Sequence, residues 1–150
     1  MKDYAELKQW LGRLRFQEAR IEAESERIER LRALSEKVTA SCGAGGAGGG
    51  VPDRRYDLVA RVVDAERELS SRLDELKNTE REIRAVIGGV PEERLRTLLE
   101  LRYIAQRSWE SVAEAMGYQT RQVHRLHGAA LARIEALGLI EFGEEVTKCH

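Results

Sequence analysis

Arg121 and Arg125 stand four residues apart, flanked by Gln122, His124 and Gly128, and between Tyr118 and Ile134 the chain has three arginines and no carboxylate. Arginine can grip the O6 and N7 of guanine in a bidentate fork, glutamine pairs with adenine edges, and both reach phosphate oxygens. The chemistry on offer is recognition of a polyanion by shape and by base edge. At about 100° per residue, Val123, Leu126, Ala130, Leu131 and Ile134 share one side of a helix. Arg121 and Arg125 fall on the other side. An exposed arginine pair is also what an ordinary solvated helix face carries, so the residues in front of it must decide.

Those residues read as a short helix and a tight reversal. Ser108 can cap a helix that begins at Trp109, its hydroxyl accepting an otherwise unpaired N–H. Val112 and Met116 then point inward at i, i+4 spacing, and Ala113 is small where a second helix must cross closely. Gly117 falls where the first helix ends and the chain turns back, a position that commonly needs positive φ. Tyr118, Val123 and Leu126 are expected to close the small core from the far side. A helix–turn–helix needs these residue types in this order. The candidate DNA-binding set is therefore Ser108, Trp109, Thr120, Arg121, Gln122, His124 and Arg125. His127 lies at the edge of the inward face and reads as a partly buried, hydrogen-bonded histidine rather than a contact.

No catalytic constellation accompanies this stretch. His124, His127 and His150 lack a nucleophile or paired carboxylate at workable spacing, and adding Cys149 makes a poor zinc set. No enzyme activity, metal or cofactor is expected. With 25 basic and 26 acidic residues the chain is nearly neutral, so any nucleic-acid contact must be local. Cys42 and Cys149 have no CxxC partner and read as reduced thiols. There is no apolar run of membrane-spanning length and no hydrophobic signal core, so a soluble, cytoplasmic protein without a membrane is expected.

At 34% charged and 5% aromatic, the composition suits long solvated helices. Residues 3 to about 39 read as one helix. Its stripe is Leu7, Leu11, Leu14, Ile21 and Ile28, continued by Leu31, Leu34 and Val38, with Glu18 and Ser25 at two seam positions. Ser41 to Gly50 holds six glycines and Pro52 follows. Each glycine costs about 1 kcal/mol relative to alanine in a helix. A flexible linker over 41–53 is expected. A phosphate loop is not, because no Gly-Lys-Ser/Thr is present. A second long helix runs from about Arg54 to Ile87 on Val62, Leu69, Leu73, Leu76, Ile83 and Ile87, with Tyr56 and Val59 leading in. At 1.5 Å per residue the two helices are about 55 Å and about 51 Å long. Matched lengths and a slack linker predict a long antiparallel, coiled-coil-like helical hairpin over 1–87, each stripe narrow enough to invite self-association.

Gly88-Gly89 breaks that helix. Pro91 starts another at a first-turn position, followed by Glu92 and Glu93, which suit a helix N-terminus. It runs to about Gln106 and supports the helix–turn–helix of 91–137. Gly138 reads as a stop. In the tail, 138–150, Leu139-Ile140-Glu141-Phe142 is apolar enough to dock and the remainder reads as a frayed end.

From Val112 to Ile134 the chain resembles, without a gap, DNA-binding region 4 of bacterial sigma factors, with Val112-Ala113, Met116-Gly117, Val123, Leu126 and Ala130-Leu131 at the pattern's positions. More closely it is similar to small phage proteins with sigma-like helix–turn–helices, related to the ArpU and RinA type of late-gene regulator. That likeness is carried by Leu101-Arg102-Tyr103-Ile104, Ser108-Trp109-Glu110, Gly117-Tyr118 and Arg121 to Gly128. It extends upstream to Lys37-Val38-Thr39-Ala40-Ser41, so nearly the whole chain falls within it. The resemblance implies Thr120, Arg121 and Arg125 as base-facing residues, with Gln122 and His124 nearer phosphates. Gln119 departs from the pattern's usual serine cap, so Thr120 is an alternative cap.

The expectation is an all-α protein: a helical hairpin, then a C-terminal helix–turn–helix. Its leading function is sequence-specific binding of double-stranded DNA as a phage transcription regulator in the bacterial cytoplasm. It would act as a homodimer or higher homo-oligomer, with host RNA polymerase as a further candidate partner. A small terminase-like packaging subunit and a structural coiled-coil adaptor are the alternatives.

Overall fold

The computed structural model describes residues 4–45 and 51–140, and these are all-helical. In order come α1 (Ala5–Leu11), α2 (Arg13–Gly45), α3 (Val51–Gly88), α4 (Glu93–Leu99), a π-helical turn (Glu100–Ile104), α5 (Trp109–Met116) and α6 (Thr120–Ala136). No described helix is long and apolar enough to cross a membrane.

The first expected helix is two helices. At Gly12 a Cβ would lie 3.2 Å from the carbonyl oxygen of Lys8. Arg13 then donates to the Trp10 carbonyl at 3.1 Å and lays its guanidinium 4.4 Å from the Trp10 ring centre. A side chain thus satisfies a carbonyl released at the break. The glycine-rich stretch also departs from expectation, because α2 continues through Ser41, Cys42 and Gly43 to Gly45. Extending an existing helix gains one hydrogen bond per residue ordered, without the cost of a new nucleus. The rest of the expected linker, residues 46–50, lies outside the described residues. α3 begins earlier than expected, and Pro52 falls in its first turn, where a missing N–H loses no helical bond.

The chain divides into two compact units: the described parts of Met1–Arg15 with Asn78–His150, and Phe16–Lys77. In the second unit Ile28 and Ala65 are buried and Ile21, Leu31, Val62, Leu69 and Leu76 are half-buried. Leu34, Leu73, Tyr56 and Val59 from the expected stripes are exposed. Of the two polar residues expected in the stripe of the first helix, Glu18 is exposed, with its neighbour Gln17 half-buried, whereas Ser25 is half-buried, as is Glu24. Arg32 pairs with Glu66 across α2 and α3.

The first unit holds most of the fully buried apolar side chains. Leu98, Leu99, Val112, Val123, Ala130, Leu131 and Ile134 form its centre, with Leu7, Leu11, Leu14, Ile83, Ile87 and Val90 also buried. α4 and α5 both pack on α6. The helix expected from Pro91 to Gln106 is shorter and changes pitch. After Leu99 the backbone widens into the π turn, closed by the Ala105 N–H to the Glu100 carbonyl at 2.9 Å. Beyond Gly138, at φ 62°, Leu139 docks: a Cβ on Gly89 would lie 2.8 Å from its Cδ2. Glu141, Phe142 and the remaining tail lie outside the described residues.

Candidate nucleic-acid interface

The reversal between α5 and α6 follows from local chemistry. Ser108 is extended, at φ −65° and ψ 159°, and its Oγ accepts the Ser111 N–H at 3.2 Å. Its hydroxyl is the helix cap, which is how it serves the candidate site. Gly117 sits in the left-handed region at φ 72°, and the Tyr118 N–H bonds the Ala113 carbonyl at 2.9 Å. This closure satisfies a carbonyl at the end of α5 and lets α6 start after two more residues. Gln119 is the N-terminal flank of α6 and makes no side-chain cap. Thr120 is therefore the first helical residue and does not cap in its place. It is half-buried.

On α6 the inward and outward faces separate as the periodicity predicts. Val123, His127, Ala130, Leu131 and Ile134 are buried, whereas Arg121, Gln122, His124 and Arg125 are exposed. Leu126, Met116 and Tyr118 are half-buried, so the turn's outer edge is less covered than the spacing predicts. Arg133 departs from expectation. Its Nε lies 2.8 Å from the Glu92 Oε1 ahead of α4, a charge pair whose N–H is not aligned for a hydrogen bond. The cations of this helix left for another molecule are thus Arg121 and Arg125, one turn apart.

Trp109, a candidate contact residue, is partly covered by its neighbours. It is half-buried, with the Arg102 guanidinium 4.4 Å from its ring centre. The rings of His124 and His127 lie 4.8 and 4.5 Å away. The π turn brings Arg102 there, and one guanidinium nitrogen donates to the Arg107 carbonyl at 2.8 Å. Cation–π and aromatic contacts of this kind contribute about 0.5–1.5 kcal/mol each. They tie the segment before α5 to the first half of α6. Trp109 and His124, both candidate interface residues, thus lie ring against ring. Spacing alone puts Arg102 only in a supporting helix. Nothing in the residue types from Glu100 to Ile104 hints at the wide turn that contains it.

Below this stack His127 is 7% exposed, and its Nε2 lies 2.7 Å from the Tyr103 hydroxyl. Burial, reinforced by the neighbouring basic groups of Lys8, Arg102 and His124, pushes the His127 pKa down to about 4. Burial pushes Tyr103 up to about 12, against a smaller opposing pull from Arg102. Both groups are neutral near pH 7 and share one proton across the hydrogen bond. Among the described residues no group of three or more histidine, cysteine or acidic side chains could hold a metal ion.

The exposed groups of this surface suit the binding of anions and hydrogen-bonding edges. It offers two forked cations, an amide and an imidazole on one helix, backed by a rigid apolar and aromatic layer. Compared with protein-family models, curated proteins and solved structures, the chain has no match.

Proposed function

We propose that this protein binds double-stranded DNA sequence-specifically, with α6 in the major groove and Arg121 and Arg125 reading base edges. One observation carries the reading: these two arginines are exposed one turn apart on α6, while Arg133 and Arg102 are engaged within the fold. A helix is of a width that a major groove accepts, and arginine–guanine pairs are its commonest specific contact. Gln122 and His124 flank them as phosphate or base contacts, and the short α5 lies against the duplex backbone.

In this reading α5, the Gly117 turn and α6 form a sigma region 4-like helix–turn–helix, and the protein is a phage transcription regulator acting in the bacterial cytoplasm. α2 and α3 form an antiparallel hairpin, supported by the Arg32–Glu66 pair and by the burial of Ile28 and Ala65. The hairpin serves self-association or contact with host RNA polymerase. Two copies would present two reading helices to one duplex and raise affinity through effective concentration.

The test is selection of binding sites from random duplexes by the full chain, followed by anisotropy titrations at several salt concentrations. Enrichment of one motif, with binding weakened by Arg125→Ala, supports the proposal. Failure to enrich any motif at low salt overturns it.

A further inference from the structure

We infer that a phosphate-binding shelf flanks the reading face of α6, where Lys8 of α1 and Arg107 before α5 hold the DNA strand beside the groove. The shelf rests on the DNA reading of α6 and extends that interface to the helix farthest from α6 in sequence. Around α6, His124 projects about 60° from Arg121 on one side and about 60° from His127 on the other. It marks the rim where the covered face ends and the reading face begins. Trp109 stacks on this rim, its ring centre 4.8 Å from that of His124, and Arg102 covers the indole at 4.4 Å. The same guanidinium donates to the Arg107 carbonyl at 2.8 Å, and the Arg107 N–H bonds the Leu101 carbonyl at 3.0 Å. Gln106, just ahead, sits at φ 57°, a conformation that a non-glycine residue keeps only where its surroundings enforce it. The Arg107 backbone is thus fixed to the rim while its side chain is exposed.

α1 brings a further cation to this rim. The break at Gly12 separates it from α2, and Leu7 and Leu11 are buried in the compact unit that contains α4 to α6. Lys8 lies between them, exposed, and its ammonium is close enough to act on His127, as Arg102 and His124 are. Among the described residues neither Lys8 nor Arg107 pairs with a carboxylate, whereas Arg13 meets Glu82 and Arg133 meets Glu92. The acids near in sequence leave by other sides. Glu6 projects about 160° from Lys8 around α1, and Glu110 and Glu114 project about 100° and about 140° from Trp109 around α5. Like charges gathered on one rim repel, and a phosphate strand supplies the missing counter-charge. Cations beside a reading helix position a protein on a duplex without reading its sequence.

The experiment measures the salt dependence of DNA binding by the full chain carrying Lys8→Gln, Arg107→Gln or, as a control of equal charge, Arg67→Gln on α3. Lys8→Gln and Arg107→Gln should each weaken binding to the selected motif and to unrelated duplex alike. Each should also make the log–log salt slope shallower by about one. Lys8→Arg should keep the parent slope, and Arg67→Gln should change neither quantity. Lys8, Arg107 and Arg67 are all exposed, so helical circular dichroism should be the same in every variant. An unchanged slope in Lys8→Gln, with Arg125→Ala still weakening binding, overturns the shelf and leaves the DNA reading standing. An equal loss from Arg67→Gln also overturns it, because net charge alone would then account for the effect. Absence of DNA binding by the unmodified chain overturns the shelf together with the reading on which it rests.

Discussion

The Tyr103 hydroxyl meets Nε2 of His127 at 2.7 Å, joining the π turn to the middle of α6 on the buried side of the helix that carries Arg121 and Arg125. Removing the hydroxyl by Tyr103→Phe leaves a buried ring nitrogen unsatisfied. The expected cost is about 1–3 kcal/mol, read from urea midpoints at pH 7. An unchanged midpoint would show that the bond contributes nothing net.

The same histidine makes stability depend on pH. Its folded pKa, near 4, lies below the 6.5 of the unfolded chain. Its contribution is therefore complete above about pH 6.5 and is lost as pH falls toward 4, because the unfolded chain takes up the proton first. The full difference is on the order of 3 kcal/mol. Urea titrations at pH 7 and pH 5 should show the loss in the parent chain. In His127→Gln that component should be absent; an equal pH 7 to pH 5 loss would assign it to other groups.

Two glycine-to-alanine substitutions are expected to act in opposite directions. Gly117 has open space where a Cβ would stand but a φ of 72°, so alanine there costs about 1–2 kcal/mol through backbone strain alone. Gly128 lies inside α6, also with nothing within 4 Å of an added Cβ, and alanine there should gain about 0.5–1 kcal/mol. Thermal melts of the two variants check the signs.

Arginines on α6 should separate by environment. Arg125→Ala is expected to lose about 1–3 kcal/mol of specific DNA affinity and to relax preference at one base pair. Arg133→Ala, whose parent side chain is held by Glu92, should leave affinity nearly unchanged. Equal losses from both would mean that the DNA footprint extends along the whole helix.

A fragment beginning at Pro91 lacks Leu7, Leu11, Leu14, Ile83 and Ile87, which are buried in the same compact unit as α4 to α6. It should therefore show helical far-ultraviolet dichroism with a broad, weakly cooperative melt, and bind DNA with a shallower salt slope than the full chain. A sharp melt at the parent temperature would establish residues 91–150 as self-sufficient.

Features that rest on residues near one another in the chain were legible from the sequence. The Ser108 cap, the Gly117 turn and the division of α6 between Val123, Ala130, Leu131 and Ile134 on one side and Arg121 and Arg125 on the other follow from local hydrogen bonding and helical period. The burial of His127 was legible in the same way, from its angle alone. Tertiary structure decided which side chains are already occupied. Glu92 engages Arg133, the π turn carries Arg102 over Trp109, Tyr103 supplies the partner of His127, and Leu139 closes against Gly89. Each of these depends on where a distant segment comes to rest. Periodicity reports only the direction in which a side chain leaves its own helix, and the partner it meets is set by packing between helices.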